Sequence, residues 1–374
     1  MGSNEVDAAA VSGKPPRIAL LGIGGVGGWL AARLIEAGKD VAEVVLIARG
    51  EHGAAIWEKG LQLDIEHPDG NTETIRTKPG DAEVYTSIAE AVKQGSKPVD
   101  YIILGVKTWQ VAETSAQCRP YLTPGGCVVT TQNGIEAPHK AAEGLDFASV
   151  LASAIHVFAW IQKPGVVSMK AAPAKFAYGE VFTEDGRELG EEVTKTPRCQ
   201  RLFDTFEKCK GVKPEIAPHG AWGMLWDKAM LMSSTGPVGA LARAPLDQTT
   251  SIPETRTLLK SVLLEVAQCC AAKGHLTQGR SPEQAVEEIL ALVTSHGKTN
   301  PGVTQSLLRD MVCGRPSEVN ELSGGIIRAG QAVGVPTPLQ NFITAALLPQ
   351  ELRARGESSY VLMGVPGGAP HVQV

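Results

Sequence analysis

The chain has 374 residues and a formal net charge of −5, with 43% hydrophobic and 20% charged residues. It is long enough for two domains with cores that need no disulfides, and its acidic balance argues against nucleic acid or an anionic membrane as a general partner. Because no uncharged apolar run reaches the length of a membrane-spanning helix, we predict no membrane partner.

Residues 1–16 show no periodic pattern of apolar residues. They are polar and small, end in two prolines and lack the apolar segment of a signal peptide. We therefore expect a disordered leader that is neither a signal peptide nor an obvious transit peptide.

An apolar strand over 17–21 runs directly into a glycine turn that opens a helix. In such a turn one glycine permits the bend, a second lets the backbone approach a pyrophosphate, and a third lets helix and strand pack closely. The helix N-terminus adds free N–H groups and a partial positive charge. We predict a dinucleotide site, with a plain tight turn as the alternative. The predicted cofactor-binding residues here are Gly22, Gly24, Gly25, Val26 and Gly27.

The second strand, 44–48, ends at Arg49, about twenty residues beyond the glycines. An acidic residue at this position would bind the 2′-hydroxyl of a ribose, whereas an arginine can pair with a 2′-phosphate. Arg49 therefore predicts NADP(H) as the cofactor. The alternative is a solvated arginine at a strand end.

Two later strands deliver polar residues to one edge of the predicted sheet. The continuous apolar run 99–106 is typical of a strand buried on both faces, and it ends at Lys107. The run 127–131 is followed by Gln132-Asn133-Gly134. Because ligands bind at the carboxyl edge of an open parallel sheet, Lys107 and Asn133 are candidate site residues.

The pattern of apolar residues in the rest of the sequence divides the chain into domains. We expect a hairpin inserted in the sheet over 61–78, around Asp69-Gly70, and antiparallel strands over 148–182 that complete the sheet. Beyond Pro218 the pattern is helical only. The predicted helices are 222–233, 255–273, 283–295, 317–333 and 340–347. The predicted domains are a leader 1–16, an NADP-binding Rossmann domain 17–217, a helical substrate and catalytic domain 218–350 and a tail 351–374, loose from Gly364.

Lys228 lies in a strongly apolar helical pattern. A lysine that is partly removed from water there would bind its proton less tightly and become a usable acid near neutral pH. The alternative is a lysine that extends to solvent or pairs with Asp227.

Glu318 and Ser306 are weaker candidates by themselves. Ser317 is predicted as a helix N-cap and Glu318 as a carboxylate of the first helical turn, where the helix dipole favours it. Ser306, in a loop that leads into a helix, has little meaning alone.

The cysteines and histidines give no metal signal. The seven cysteines form no C-x-x-C pair and no zinc spacing, which favours reduced thiols in a cytoplasmic compartment and predicts no metal. Cys269-Cys270 is interpreted as two buried side chains, with a redox role as the alternative. His156, between apolar residues, is interpreted as a core histidine.

Together these motifs resemble the ketopantoate reductases (2-dehydropantoate 2-reductases), in order and in spacing, from about Arg17 to Leu348. The segments that carry the resemblance are the turn 22–27, Arg49, Val106-Lys107 with Trp109-Gln110, Gln132-Asn133-Gly134, Pro164-Gly165-Val166-Val167, Leu225-Trp226-Asp227-Lys228, Gly236-Pro237, and Ser306 twelve positions before Glu318 within Arg315 to Asn320.

The resemblance implies an α/β fold: an N-terminal Rossmann domain and a C-terminal all-α domain similar to that of 6-phosphogluconate dehydrogenase. It implies NADPH-dependent reduction of ketopantoate to pantoate, in pantothenate biosynthesis. Lys228 and Glu318 would be catalytic: Lys228 protonates the carbonyl oxygen, and Glu318 binds the hydroxyl end of the substrate. Asn133 would lie between nicotinamide and substrate, Lys107 near the cofactor, and Ser306 near the substrate carboxylate.

Two positions depart from the family pattern. Met232 stands where the family has an asparagine four residues after the lysine, and Leu246 replaces another asparagine after Ala244-Pro245. Lost hydrogen-bond donors indicate a changed ligand group. The substrate is thus ketopantoate or, alternatively, a more apolar 2-oxo acid, ketone or imine.

A second class of function stays open. Some Rossmann chains bind NADPH only as a sensor and transfer no hydride, and a sensor has no need for an acid such as Lys228. The sequence does not determine the oligomeric state. A homodimer is our candidate for the assembly.

Overall fold

The computed structural model describes residues 14–171, 174–191 and 195–359. Most of the predicted leader, and the predicted tail from residue 360 onward, lie outside these ranges. The described chain divides into two compact units. The first contains the described residues up to Gln132 and those from Ala137 to Met224. The second contains residues 133–136 and the described residues from Leu225 onward.

The first unit alternates strands and helices. Its strands are β1 (Arg17–Leu21), β2 (Glu43–Ile47), β3 (Gln62–Glu66), β4 (Thr72–Arg76), β5 (Glu83–Tyr85), β6 (Val99–Leu104), β7 (Leu122–Thr130), β8 (Val150–His156), β9 (Ala159–Lys163), β10 (Val166–Lys170), β11 (Lys175–Glu180) and β12 (Lys213–Ile216). Its helices are α1 (Gly25–Ala37), α2 (Gly50–Lys59), α3 (Ile88–Lys93), α4 (Val111–Cys118), α5 (Ala137–Gly144) and α6 (Pro197–Phe206).

The main sheet has the strand order of a Rossmann fold. Within the described residues it runs β12-β11-β8-β7-β6-β1-β2-β5, and the six strands from β8 to β5 are parallel. The order reverses between β1 and β6, which is where a doubly wound sheet opens a crevice for a dinucleotide. The predicted Rossmann fold is therefore correct.

A second sheet covers the first helix. Its order is β4-β3-β10-β9, with β3 parallel to β10. Val167 of β10 is fully buried, and a Cβ on Gly28 of α1 would lie 2.5 Å from its Cγ2 atom. The prediction that 61–78 is inserted in the main sheet is therefore wrong, because this hairpin pairs with β10 and buries its apolar face against α1.

The antiparallel strands that we expected over 148–182 are divided between the two sheets, instead of all joining the main sheet. β8 and β11 pair in antiparallel fashion in the main sheet, as expected. The hairpin of β9 and β10 joins the second sheet instead. The alternating pattern of a short strand does not reveal which sheet it joins.

His156 ends β8 and is exposed, so its interpretation as a core histidine is wrong.

The second unit is helical. Its helices are α7 (Ala221–Ala242), α8 (Leu246–Ser251), α9 (Pro253–Ala272), α10 (Pro282–Thr299), α11 (Ser306–Val312), α12 (Val319–Val333) and α13 (Pro338–Ala354). The short helices α8 and α11 were not predicted, because six or seven residues carry too little periodicity. Cys269 and Cys270 are fully buried in α9, as interpreted from the sequence.

We expect Gly27→Ala to lower the free energy of unfolding by about 1–3 kcal/mol, as overpacking does. A Cβ at Gly27 would lie 2.1 Å from the backbone oxygen of Gly22, which cannot move without opening the turn. Chemical denaturation followed by circular dichroism measures this change. Gly24→Ala is the matched control, because no atom lies within 4 Å of its added Cβ. Equal losses in both variants would contradict the packing argument.

Candidate active site

The glycine turn is fixed between the two strands that flank β1. The N–H of Gly22 donates to the oxygen of Ile47, 3.0 Å away, and the N–H of Gly105 donates to that of Leu21, 2.7 Å away. Gly22 has a φ of +93°, and a Cβ there would lie 2.8 Å from the backbone of Gly105. A side chain at Gly22 would therefore force apart β1 and β6 at the point where the sheet opens.

The next residues present open backbone at the helix N-terminus. Gly24 is the N-cap of α1, makes no side-chain capping bond and has open space where a Cβ would be. Unpaired N–H groups and the helix dipole at such a position fit a dinucleotide phosphate. Gly25 has a second constraint, because a Cβ there would lie 2.3 Å from the oxygen of Ala159 in β9. Val26 is partly buried against the core.

Arg49 is exposed and is the N-cap residue of α2, two residues beyond the end of β2. Three residues later, Nδ1 of His52 accepts a hydrogen bond from the N–H of Gly165, 3.0 Å away, and burial lowers the pKa of His52. This contact ties the start of α2 to the turn between β9 and β10. The sequence analysis did not identify His52, and a lone histidine in a first helical turn gives no signal.

Lys107 lies where β6 ends, as predicted. Its Nζ is 5.8 Å from the centre of the Trp109 ring, a cation–π distance. At the end of the adjacent β7, the side-chain amide of Gln132 donates to the oxygens of Leu104 and Val106, 2.8 and 2.9 Å away. The ends of β6 and β7 are thus joined by a side chain.

Asn133 belongs to the short segment 133–136 that groups with the second unit. Glu136 forms a two-pronged ion pair with Arg328 of α12, with N–O distances of 2.6 and 2.7 Å. A Cβ at Gly134 would lie 3.0 Å from the backbone oxygen of Glu321, also in α12. The segment that carries Asn133 is therefore held against the helix that follows Glu318.

Lys228 is a buried lysine of α7, in the second unit. Its exposed fraction is 8%, and burial lowers its pKa from the usual 10.5 to about 8, while the nearby charge of Glu318 raises it. Asp227 pairs instead with Arg280, at 2.7 Å. The carboxylate that acts on Lys228 is thus Glu318, from a different helix, and the alternative of a pair with Asp227 is wrong.

Glu318 lies just before the first turn of its helix and not within that turn, where the sequence predicts it. It is the N-cap residue of α12, and Ser317 precedes the cap, so the interpretation of Ser317 as the N-cap is wrong. The Ser317 hydroxyl is drawn to Glu351 of α13, to which it donates at 2.6 Å, and it accepts only a long bond from the N–H of Val319, 3.4 Å away. Glu318 is 9% exposed, and its negative charge is the one that raises the pKa of Lys228.

Met232 and Gly236 follow Lys228 at intervals of one helical turn along α7, and Met232 is half-buried. A Cβ at Gly236 would lie 3.7 Å from Leu307 of α11 and 3.9 Å from Leu322 of α12. Ser306 is the first residue of α11 and directly precedes Leu307.

The second departure, Leu246, has a role in packing. It is 4% exposed at the start of α8, and its N–H donates to the oxygen of Val303, 2.9 Å away. A Cβ at Gly297 of α10 would lie 3.3 Å from the carbonyl carbon of Leu246. Leu246 is therefore buried where α8 packs against α10.

No helix in the described ranges is both long and apolar enough to cross a membrane. Within the same ranges, no group of three or more His, Cys, Asp and Glu side chains is arranged to hold a metal ion.

A doubly wound parallel sheet with a glycine turn beside the point where its strand order reverses defines a dinucleotide-binding protein. The family model described as "Ketopantoate reductase PanE/ApbA" matches residues 18–181, and the one described as "Ketopantoate reductase PanE/ApbA C terminal" matches residues 221–351. The chain belongs to the ketopantoate reductase family.

Individual relatives are distant but cover nearly the whole chain. A 2-dehydropantoate 2-reductase of Mesorhizobium japonicum is 26% identical over 352 residues, which cover 88% of this chain and 96% of that protein. The structure of a ketopantoate reductase family protein of Ralstonia eutropha has a TM-score of 0.72 and 22% identity, covering 91% and 99% of the two chains. A D-mandelate dehydrogenase with NADH and anilino(oxo)acetate has a TM-score of 0.74 and 19% identity, with the same coverage. Both structural likenesses show the fold.

We expect Lys228→Met to stabilise the protein at pH 7 by up to about 3 kcal/mol. Each pKa unit corresponds to about 1.4 kcal/mol, and burial holds the pKa of Lys228 at about 8 in the folded state against 10.5 otherwise. The gain is fully present below pH 8, and it disappears as the pH rises to 10.5, where the lysine is neutral in both states.

Urea denaturation at pH 7 and at pH 10 measures this difference. Lys260→Met is the matched control, because Lys260 is 55% exposed in its ion pair with Glu287. A Lys228→Met variant that is no more stable at pH 7 than the wild type would contradict the burial cost.

Proposed function

We propose that this protein reduces a 2-oxo acid to a 2-hydroxy acid with NADPH, and that ketopantoate, reduced to pantoate, is the first candidate substrate. The observation that carries this proposal is the buried Lys228, whose charge is supported by Glu318 on another helix. Family membership supports the reaction class, and the site residues support the assignment of roles.

The cofactor supplies the hydride that adds to the 2-oxo carbon. Lys228 then acts as the general acid, because its ammonium group donates a proton to the carbonyl oxygen as negative charge develops there. A pKa near 8 fits this role, since the lysine is mostly protonated at neutral pH and still gives up its proton readily. The product is a 2-hydroxy acid, and neutral Lys228 recovers a proton from water.

In the proposed site, the other predicted residues bind and orient the substrate and the cofactor. In this proposal Glu318 accepts a hydrogen bond from the substrate hydroxyl and keeps Lys228 protonated, Ser306 binds the carboxylate, and Asn133 orients the reacting carbonyl. The glycine turn and Lys107 bind the cofactor, and Arg49 pairs with its 2′-phosphate. Support for Arg49 is its exposed position at the N-terminus of α2, where the helix dipole also favours an anion.

A second candidate substrate is a more apolar 2-oxo acid. The specific observation is that Met232 lies one helical turn after Lys228, and that Gly236, one turn further, packs close to Leu307 and Leu322. A methionine makes no strong hydrogen bond to a substrate hydroxyl, whereas it packs well against an alkyl or aryl group. The D-mandelate dehydrogenase of the same fold makes phenylglyoxylate a sensible aryl probe.

We also propose a cytoplasmic location, supported by the cysteines. All seven are unpaired, and six of them are buried. Unpaired thiols are typical of a reducing compartment.

The first experiment measures NADPH oxidation with ketopantoate and with phenylglyoxylate, for the wild type and for Lys228→Ala. We expect a saturable rate that falls by about 10²- to 10⁴-fold in the variant, the range typical of a lost general acid. Because only protonated Lys228 donates, kcat/KM for reduction should be constant below pH 7 and should fall above pH 8.

The outcomes separate the candidates. Preference for ketopantoate supports the first substrate, and preference for phenylglyoxylate, weakened in Met232→Asn, supports the second. Tight NADPH binding without turnover in a broad panel of 2-oxo acids, ketones and imines would instead favour a sensor.

We expect Arg49→Gln to raise the KM for NADPH by about tenfold or more and to change the KM for NADH little. A charged hydrogen bond to phosphate contributes about 1.5–3 kcal/mol, which corresponds to roughly 10- to 150-fold. Arg76→Gln, in β4 of the second sheet, is the matched control. Equal effects on both cofactors would show that Arg49 does not select the 2′-phosphate.

A further inference from the structure

The carboxylate of Glu351, near the end of α13, binds the residue that precedes Glu318. It is 2% exposed and accepts hydrogen bonds from the backbone N–H of Ser317, 2.9 Å away, and from its hydroxyl, 2.6 Å away. Ser317 itself is fully buried. A buried carboxylate is stable only when it is fully bonded, so this contact is tightly specified.

Arg355, one turn later and the C-cap residue of α13, completes the cluster. Its Nε donates to Glu351, 2.6 Å away, and its NH2 group donates to the backbone oxygen of Ser317, 3.1 Å away. The two side chains therefore hold both backbone polar groups of one residue. We call Ser317, Glu351 and Arg355 the Ser317 clamp.

The same turn of α13 also holds the other end of the loop. The side-chain amide of Gln350 donates to the oxygen of Met311, in the last turn of α11. The loop from 313 to 317 is thus bound at both ends by α13. Ser306 precedes this loop on α11, and Glu318 follows it.

Glu318 depends on this clamp because its own backbone is not helical. It has φ −104° and ψ 30°, and its oxygen accepts the first helical bond of α12, from Leu322, 2.9 Å away. Its backbone is therefore held on both sides, by this bond on one side and by the Ser317 clamp on the other.

We propose that Glu351 is a positioning residue, which with Arg355 holds Ser317 so that the carboxylate of Glu318 stays beside Lys228. The part of this inference that concerns catalysis rests on the proposed function, in which Lys228 and Glu318 act together. The clamp itself does not depend on the identity of the substrate.

The test uses the full-length protein and measures the titration of Lys228 without substrate. Carbon-13-labelled lysine gives a Cε resonance for Lys228, which Lys228→Arg assigns. Glu318→Gln sets the reference, because removing the charge of Glu318 should lower the pKa of Lys228 below about 8. We expect Glu351→Gln and Arg355→Gln to lower it in the same direction.

Glu265→Gln is the matched control. Glu265 is a second buried carboxylate that binds α13, through the N–H groups of Leu339 and Gln340, 2.8 and 3.0 Å away. It binds the opposite end of α13 from the Ser317 clamp. The Glu265→Gln variant should therefore have a lower melting temperature, while its Lys228 titrates as in the wild type.

Turnover gives the second readout. For the substrate that the wild type reduces, we expect kcat to fall by about tenfold in Glu351→Gln, as small misplacements of catalytic groups do, while the KM for NADPH stays constant. Glu351→Asp should recover part of the lost rate.

Folded Glu351→Gln and Arg355→Gln variants in which Lys228 titrates as in the wild type would overturn the proposal. If Glu351→Gln does not fold, Arg355→Gln decides alone, because Arg355 is at the surface end of the clamp, with its side chain 22% exposed. A shifted Lys228 titration in a protein that reduces no 2-oxo acid would support the clamp and contradict the proposed function.

Discussion

The chemistry proposed for the helical unit depends on one energetically unfavourable feature, the burial of the Lys228 ammonium group. Burial disfavours the charge of Lys228, and the carboxylate of Glu318 offsets part of this cost. The offset works only if Glu318 is held in place, since a mobile carboxylate would turn toward solvent. The clamp on Ser317 and the ion pair between Glu136 and Arg328 both fix the helix that carries it.

The Rossmann unit depends on a different constraint, the close approach of backbone to backbone. The first helix lies between two sheets, and its glycines permit contact on both sides. Gly27 faces the turn at Gly22, whereas Gly28 faces Val167 of the second sheet. Gly24, in contrast, has open space in front of it. The same run of glycines therefore permits close packing at some positions and leaves open space at another.

In the proposed function, the chemistry and the substrate specificity are carried by different features. The acid and its carboxylate partner suit any 2-oxo acid, because proton donation to a carbonyl oxygen does not depend on the rest of the molecule. In the same proposal, Met232, one turn after Lys228, contacts the group that the substrate carries beyond its oxo acid. A family can thus keep one reaction and change its substrate by changing a few side chains of one helix.

The sequence by itself determined the Rossmann fold, the helical region and the candidate acid. Glycine turns, buried strands and helical periodicity are local patterns that neighbouring residues specify. Only the tertiary structure decided that the 61–78 hairpin covers α1, that Asp227 pairs with Arg280, and that Glu351 holds Ser317. Such pairings join residues far apart in the chain, and no local pattern encodes which buried charge meets which partner.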